Sequence, residues 1–411
     1  MDSEIVYPEN DIPLEFLYSR NTEILLNKFD VRNGKELNSG LILDFEITDR
    51  KSNHKICPIL VFAKEENTKD IIEVYQDVYN GTYPYKEMLD EIETKKMIAN
   101  PNLKTLLFKD NKNFIAGCVT FVLDFQQKRG YIRGFMLKKA YHGKIDVTKG
   151  FLGAMIVMYS LYKKDIMMWY VENRTAHSKS QYPMYLCGIS PIAFFPNKDI
   201  FFNEVESDLM QIIYNKKVLR ELRSQKQVKI IPEVSNIFTY ANYRYNLGIV
   251  EIDNPSIELD HEKITYLSKI IKKHIEIDKF GYHNIKLTLP NTNSYFQFLY
   301  TPSVKNFEKT KYKTKNLEEL VVFLNAFKKI GRVYGIRYYE VFVSAYKSEH
   351  QRLFYDFGFS SRGYIPSWKY NAKKGTFDDS IVFNFYEGKI SKNIKLIEEA
   401  QKLIDFLEIN K

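Results

Sequence analysis

The sequence predicts an α+β fold built on a mixed sheet with helices on its flanks. Three observations lead there. Residues 104–109, 114–124 and 131–137 read as strands separated by short polar turns, which suits an antiparallel meander. An apolar helical stretch at 150–162 follows, then a buried-looking strand at 167–171, a short helix at 177–186 and the start of a further strand at 192–195. A meander followed by strand–helix alternation is a mixed-sheet order and not a doubly wound one. The second half of this rhythm returns near the C-terminus, so the class includes a second, partial α+β domain.

Taken in order, residues 41–47 and 56–63 read as strands, and the polar stretch 48–55 between them suggests a hairpin. Helical spacing runs through Ile71, Ile72, Tyr75 and Val78, then breaks at Asn80-Gly81-Thr82-Tyr83-Pro84-Tyr85. Residues 88–98 form a second short helix. Residues 208–223 read as an amphipathic helix with Leu209, Ile212, Ile213, Leu219 and Leu222 inward and Lys216, Lys217, Arg220 and Arg223 outward. A linker is placed at 231–240. Beyond it come a helix at 261–275, a strand at 284–289, a helix at 317–330 and a strand at 338–344. A short helix at 349–357 closed by Gly358, strands at 364–368 and 380–386 and a helix at 394–409 complete the chain. The division drawn from this is an N-terminal β-containing extension at 1–66, a first domain at 67–235 and a second at 236–411.

Composition narrows the class. Hydrophobic residues at 45% and charged residues at 27% of 411 give ample core. A formal net charge of +9 is a mild excess that suits an anionic cosubstrate, a nucleic acid or plain solubility. Cys57, Cys118 and Cys187 are far apart, so neither a disulfide framework nor a zinc site is expected. The acidic stretch 1–13 does not read as a secretory leader, and the apolar run 151–162 is short of the roughly 20 residues a spanning helix needs. A cytoplasmic protein that does not enter a membrane is the expectation. The seven histidines are scattered, so no metal is expected, and neither a Gly-x-Ser-x-Gly elbow nor a Walker loop occurs.

The informative stretch is Leu137-Lys138-Lys139-Ala140-Tyr141-His142-Gly143-Lys144-Ile145-Asp146-Val147-Thr148-Lys149-Gly150. It leaves a strand, passes basic and glycine residues and enters a helix. Amide N–H groups at a helix start stabilise an anion, and Lys144, Lys149 and His142 add positive charge. A solvated surface loop is the plain alternative.

At this point the chain resembles the GNAT acyltransferase superfamily. Its members carry a strand, a loop of the form Arg/Gln-x-x-Gly-x-Gly/Ala and a helix; a further strand and a short helix ending near Gly-Phe follow. His142 takes the Arg/Gln position, and Gly143 and Lys144 match the Gly-Lys after it. Ile145 and Val147 stand where glycines are usual. Either the loop binds with these side chains turned away or it has lost its cosubstrate; a shifted alignment on Lys149-Gly150 is a third option. Val78-Tyr79-Asn80-Gly81-Thr82-Tyr83-Pro84-Tyr85, Thr175 to Gln181, Gly188 and Ser190-Pro191-Ile192 resemble a subset that includes β-lysine acetyltransferase-like proteins and GNAT modules beside anti-sigma-type ATPase domains. The resemblance spans about residues 67–202.

It implies direct acyl transfer from acetyl-CoA or another acyl-CoA to a small-molecule or peptide amine, with no metal. Leu137, His142, Gly143, Lys144, Ile145, Val147 and Lys149 would contact the cosubstrate, and a backbone N–H near Leu137 would polarise the thioester carbonyl. Glu172 is the candidate base, His177 a base in the acceptor pocket, and Tyr83 and Tyr85 line that pocket. The family's acidic tyrosine position holds Met184; Tyr185 is one residue off and Tyr182 two. Plain readings stand beside these: a solvated carboxylate, a polar helix-start residue and packing aromatics. Residues 344–359, ending Phe354-Tyr355-Asp356-Phe357-Gly358-Phe359, resemble the GNAT closing segment. The C-terminal half therefore reads as a degenerate module that closes the acceptor pocket or mediates homodimer formation. Two alternatives remain: a non-catalytic acyl-CoA sensor or interaction module, and an aminoacyl-tRNA-dependent transferase with tandem GNAT-like domains. The second would use Lys-rich stretches 216–229 and 305–315, but Glu221 and Glu308 interrupt them, and nucleic acid is the lesser expectation.

Overall fold

The computed structural model of the chain describes residues 40–42 and 55–407; residues 43–54 of the expected hairpin and the last residues of the expected final helix lie outside them. The described residues form two compact units. The first holds those up to Asn173 with Ser178–Ser190 and Gln211–Lys216; the second holds Arg174–His177, Pro191–Met210 and those from Lys217 onward.

In chain order the first elements are β1 (Leu41–Ile42), β2 (Ile59–Phe62), α1 (Thr68–Tyr79), α2 (Glu91–Ala99), β3 (Leu103–Lys109), β4 (Ile115–Asp124) and β5 (Arg129–Leu137). Then come α3 (Val147–Tyr162), β6 (Met168–Arg174), α4 (Gln181–Leu186), β7 (Ser190–Phe201) and β8 (Glu204–Tyr214). Strands β1 to β5 form an antiparallel meander, β6 joins β5 in parallel, and residues 211–214 of β8 continue the first unit's sheet beyond β6. Two-residue alternation divides the core. Phe108, Val119, Phe121, Ile132, Trp169 and Val171 face α3, whereas Val61, Leu107, Cys118 and Met136 face α1 and α2. Helix α3 is buried continuously from Gly150 to Met158, which is why it reads as apolar on all sides. Asn80, left-handed at φ 51°, ends α1, and the Asp90 carboxylate caps α2 by accepting the Glu93 amide at 2.9 Å. Burial pushes the Cys118 thiol up to about 12 and raises that of Cys187, so both are packing residues.

The later elements are α5 (Lys216–Arg220), β9 (Lys229–Ile230), α6 (Ser235–Tyr245), β10 (Glu251–Ile252), α7 (His261–Ile270), β11 (Lys272–Ile277), β12 (His283–Thr288), β13 (Tyr295–Thr301) and β14 (Asn306–Lys313). They end with α8 (Leu317–Tyr334), β15 (Tyr338–Ser344), α9 (Ser348–Asp356), β16 (Ser360–Asn371), β17 (Thr376–Tyr386) and α10 (Glu398–Phe406). The second unit's strand order is β8-β7-β16-β17-β15-β14-β13-β12-β11, with residues 191–210 supplying its parts of β7 and β8. Its run from β11 to β17 repeats the chain order seen from β1 to β8: an antiparallel meander, a crossover helix to a parallel strand, a short helix and a closing hairpin. The mixed-sheet α+β class is thus the one observed.

Several elements differ from expectation. Residues 208–214 are strand β8, followed only by the single turn of α5, not an amphipathic helix. All seven are buried, and burial on both faces erases the two-residue period that would mark a strand. The helix expected at 261–275 ends at Ile270, and β11 begins at Lys272. The expected linker at 231–240 is a helical segment whose residues Ile237, Phe238, Tyr240 and Ala241 are buried. Strands β13 and β14 were not expected at all. Before α8 a strand-to-helix turn does exist, without glycine. Asn316 caps the helix by accepting the Glu319 amide at 3.1 Å, and the buried Glu319 carboxylate accepts from Lys315 N at 2.7 Å and Ser294 Oγ at 2.6 Å.

One buried polar knot fixes the second unit. Asp379, fully buried, accepts from Arg223 Nε at 3.0 and 3.1 Å, Arg223 Nη2 at 2.6 Å, Ser367 N at 2.8 Å and Tyr364 Oη. Arg223 also donates to Leu247 O at 2.6 Å. Asp379→Ala should lower unfolding free energy by about 3–5 kcal/mol in denaturant titration, because it strands a buried cation. The double variant Arg223→Met/Asp379→Leu should lose less.

His350 on α9 gives a pH signature. Its Nδ1 lies 3.2 Å from Tyr312 Oη, and burial, then the nearby Lys347 charge, lowers its pKa from 6.5 to about 4. The fold therefore keeps the ring neutral, and stability from this group is complete above pH 6.5 and lost as pH falls toward 4. Melting temperatures of His350→Phe should fall less steeply than wild type across that window.

Candidate functional site

The first unit's parallel pair comes apart. β5 and β6 are in register only from Arg129↔Met168 to Ile132↔Val171; residues 133–137 of β5 and 172–173 of β6 run on unpaired with one another. β5 stays on β4 as far as Leu137, while the far side of β6 is held by Asn173 Nδ2 donating to Gln211 Oε1 at 2.7 Å. Gln211, fully buried, donates in turn to Ile189 O at 2.9 Å. A notch opens between two strands that are each anchored on their outer side.

A bulge shapes the β5 lip. Thr120↔Arg133 and Cys118↔Met136 enclose one more residue on β5 than on β4. Gly134 adopts φ +60° there, and a Cβ on it would lie 2.5 Å from Tyr75 Oη. Opposite, a Cβ on Gly117 would lie 2.2 Å from Met136 O. Only glycine fits at either place.

The bulge sets the direction of the amides beyond it. Lys138 N–H donates to Ala116 O at 2.8 Å, so 116 and 138 form a hydrogen-bonded pair. The neighbouring Gly117↔Leu137 pair is then of the other kind, with the Leu137 N–H and C=O directed away from β4 toward the notch. His142 confirms the direction: its Nε2 lies 3.1 Å from Leu137 O.

The loop after β5 is more closed than its sequence suggests. His142, Gly143 and Lys144 are exposed, with Gly143 at φ +77°. Ile145 turns inward, 2% exposed, and bridges to Ile56. The amides of Lys144 and Ile145 donate to Tyr141 O, that of Asp146 to Ile56 O at 3.0 Å and that of Val147 to Ile145 O. Asp146, 4% exposed, caps α3 by accepting the Lys149 amide at 3.0 Å, and its own carbonyl accepts from Gly150. Pro58 lies over this turn, 2.8 Å from where a Gly150 Cβ would be. The amides at residues 144–147, 149 and 150 are thus engaged within the chain, and the start of the helix already carries a carboxylate. Of the residues expected to contact a cosubstrate, His142, Gly143 and Lys144 face outward, Val147 and Lys149 are half-buried, and Ile145 serves packing.

The remaining expected residues fall as follows. Glu172 is half-buried on β6, the first residue past the last paired one. Tyr83 and Tyr85 belong to an aromatic cluster on the α1 face, with Tyr75–Tyr83 centroids 4.9 Å apart, Tyr79–Tyr83 4.6 Å and Tyr83–Tyr85 5.6 Å. Burial raises the Tyr83 phenol well above its ordinary pKa, so it keeps its proton. Tyr185 is half-buried on α4, Met184 is fully buried and Tyr182 is exposed. His177 belongs to the second unit's short segment Arg174–His177. Sequence reasoning passed over Asp146, Tyr75 and Arg133. Asp146 carried a legible signal, an aspartate directly before an apolar helix. Among the described residues no group of His, Cys, Asp and Glu could hold a metal, and no helix is long and apolar enough to cross a membrane.

The fold and notch define a mixed-sheet α+β protein with a splayed parallel pair. No protein-family model matches the chain, and no curated protein matches it. Similar solved structures include a spermidine N-acetyltransferase from Vibrio cholerae, at TM-score 0.34 and 13% identity, covering 38% of this chain and 94% of that one. A microcin C7 self-immunity acetyltransferase in complex with acetyl-CoA and AMP gives TM-score 0.32 and 17% identity over 40% of this chain and 94% of that one. A ribosomal L7/L12 alpha-N-protein acetyltransferase in complex with coenzyme A gives 0.33 and 14% over 38% and 93%.

The capped helix start makes a separable prediction. Asp146→Ala should cost about 1 kcal/mol in thermal or chemical unfolding through loss of the cap. Asp146→Asn keeps an acceptor for the Lys149 amide and should cost only a few tenths.

Proposed function

We propose that the chain is an acyl-CoA-dependent N-acyltransferase that acts on a primary amine by direct transfer, with acetyl-CoA the first donor to test. The observation that carries this reading is the β5–β6 notch with the Leu137 amide turned into it, which suits a thioester carbonyl lying along the β5 lip. In the reaction the amine nitrogen bonds to the thioester carbon, the carbonyl oxygen takes up charge against the Leu137 N–H, and the C–S bond then breaks. The amine proton passes to Glu172 or a water beside it, and Tyr185 is the proton source for the departing thiolate. Tyr83 and Tyr85 belong to the acceptor side. Residues 67–235 are the proposed transferase region, and 236–411 the region proposed to form a homodimer.

The diphosphate end of the donor fits less simply. The helix amides are engaged and the Asp146 carboxyl occupies the helix start, so Lys144, Lys149 and His142 side chains are the groups to hold it. That same feature favours a second reading, in which the notch takes a donor other than coenzyme A, such as an aminoacyl-tRNA, or none.

Acetyl-CoA should raise the melting temperature of the full chain by ligand linkage. Gly143→Asp/Lys144→Glu should abolish the rise, and Asp146→Asn should enlarge it by removing a like charge. Thiol release with lysine, β-lysine and polyamines then identifies the acceptor. Absence of a shift with every acyl-CoA, together with salt-sensitive binding of tRNA, would establish the second reading instead.

A further inference from the structure

The α1 and α2 face of the notch carries a cation that is in no ion pair among the described residues. Ile132 and Val171 face α3, so their neighbours Tyr131, Arg133, Tyr170 and Glu172 face the other way. The stacked pair Tyr131–Tyr170, 4.9 Å between centroids, shows the arrangement directly. Arg133 and Glu172 are next in register after Ile132↔Val171, where the strands part. The lips of the notch therefore carry opposite charges on one face.

Arg133 is poorly satisfied. Its Nη2 meets Met97 Sδ at 3.5 Å, a weak acceptor, and its buried Nε has no hydrogen-bond partner among the described residues. No ion pair to it is found there either. Tyr75, 1% exposed, points its hydroxyl at the β5 bulge, and that oxygen also lacks a partner. Gly134, whose added Cβ would lie 2.5 Å from the Tyr75 hydroxyl, directly follows Arg133, so both groups lie at one stretch of β5. Two buried donors, one of them cationic, thus lie at one stretch of β5 without a hydrogen-bond partner among the described residues. Leaving such donors unmet is costly, and a carboxylate supplies the two oxygens that would meet them.

We propose that Arg133, backed by Tyr75, binds the carboxylate of the acceptor, and that the acceptor is therefore an amino acid or other amine bearing a carboxylate. Glu172 on the opposite lip complements the ammonium end of the same zwitterion. This rests on the transferase reading for the amine's fate, but the carboxylate site itself is a binding property and is testable without turnover.

The experiment compares each standard amino acid with its decarboxylated amine, for example lysine with cadaverine, as acceptor in acetyl-CoA thiol release. In parallel, binding of each is followed by saturation-transfer NMR without donor. The amino acid of at least one pair should exceed its amine by tenfold or more in kcat/KM. Arg133→Gln should erase that preference by raising KM for the amino acid while leaving the amine's KM unchanged, and Arg133→Lys should restore part of it. Tyr75→Phe should weaken amino-acid binding severalfold. Equal use of both members of every pair, or preference for the amines, overturns the carboxylate site while leaving the transferase reading intact. Equal loss on both members in Arg133→Gln also overturns it, since that marks a structural role. Amino-acid binding that Arg133→Gln abolishes, without turnover from any acyl-CoA, supports the site and overturns the transferase reading. No binding and no turnover for any pair overturns both. If Arg133→Gln does not fold, the wild-type pairs decide alone.

Discussion

The divergence of β6 from β5 after Ile132↔Val171 is the constraint on which the rest of the first unit depends. Two neighbouring parallel strands normally share hydrogen bonds along their length, so each residue beyond the divergence gives up ladder bonds that burial would otherwise demand. The fold supports this by anchoring each strand elsewhere. β5 keeps β4 to its last residue, and β6 is held by the buried amide chain from Asn173 through Gln211 to Ile189 O. Glycine at 117 and 134 then lets the bulge pack where any side chain would collide. Separation is thus a property of the scaffold on both sides, and an opening built in this way does not close when a loop moves.

Much of this architecture was legible in the sequence, and the reasons are local. The strands of the meander alternate two faces, and α3 is a continuous apolar run between strand signals, so period and punctuation identify them. β8 was misread because Leu209, Met210, Gln211, Ile212 and Ile213 are all buried and leave no period to distinguish strand from helix. The start of β11 was lost because Lys272 to Ile277 continue the charged pattern of α7. Glu172 and the Leu137 region could be placed through their position on strand ends. The bulge could not, since it exists only in the pairing of β4 with β5. Nor could Arg133, one of 60 lysines and arginines until packing leaves its Nε without a hydrogen-bond partner among the described residues.

The two units repeat one order of elements yet differ at the turn into the crossover helix. In the first, Gly143 and Lys144 stand outside while Asp146 caps α3; in the second, Asn316 caps α8 and Glu319 folds back on Ser294 and Lys315. Both helix starts are satisfied by the protein's own side chains. The first retains exposed cations beside the cap, and the second retains no glycine. The parallel pair differs as well: β14 and β15 remain paired through Thr310↔Val341 after their register shift.

Asp146 sets the electrostatic problem at the first helix start. A helix N-terminus stabilises an anion by about 0.3–1 kcal/mol, whereas two like charges about 4 Å apart repel by roughly 4 kcal/mol at an effective dielectric near 20. The dipole alone cannot bring a diphosphate to a position already held by a buried carboxylate. Lys144 and Lys149 would have to offset the difference, or the Asp146 side chain would have to leave the cap and release the Lys149 amide. Because Ile145 and Pro58 pack over the same turn, that release would also disturb the Ile56 bridge. Under the proposed transferase reading, donor binding would therefore be coupled to the segment preceding β2, and the Asp146 cap would weaken the affinity for acyl-CoA.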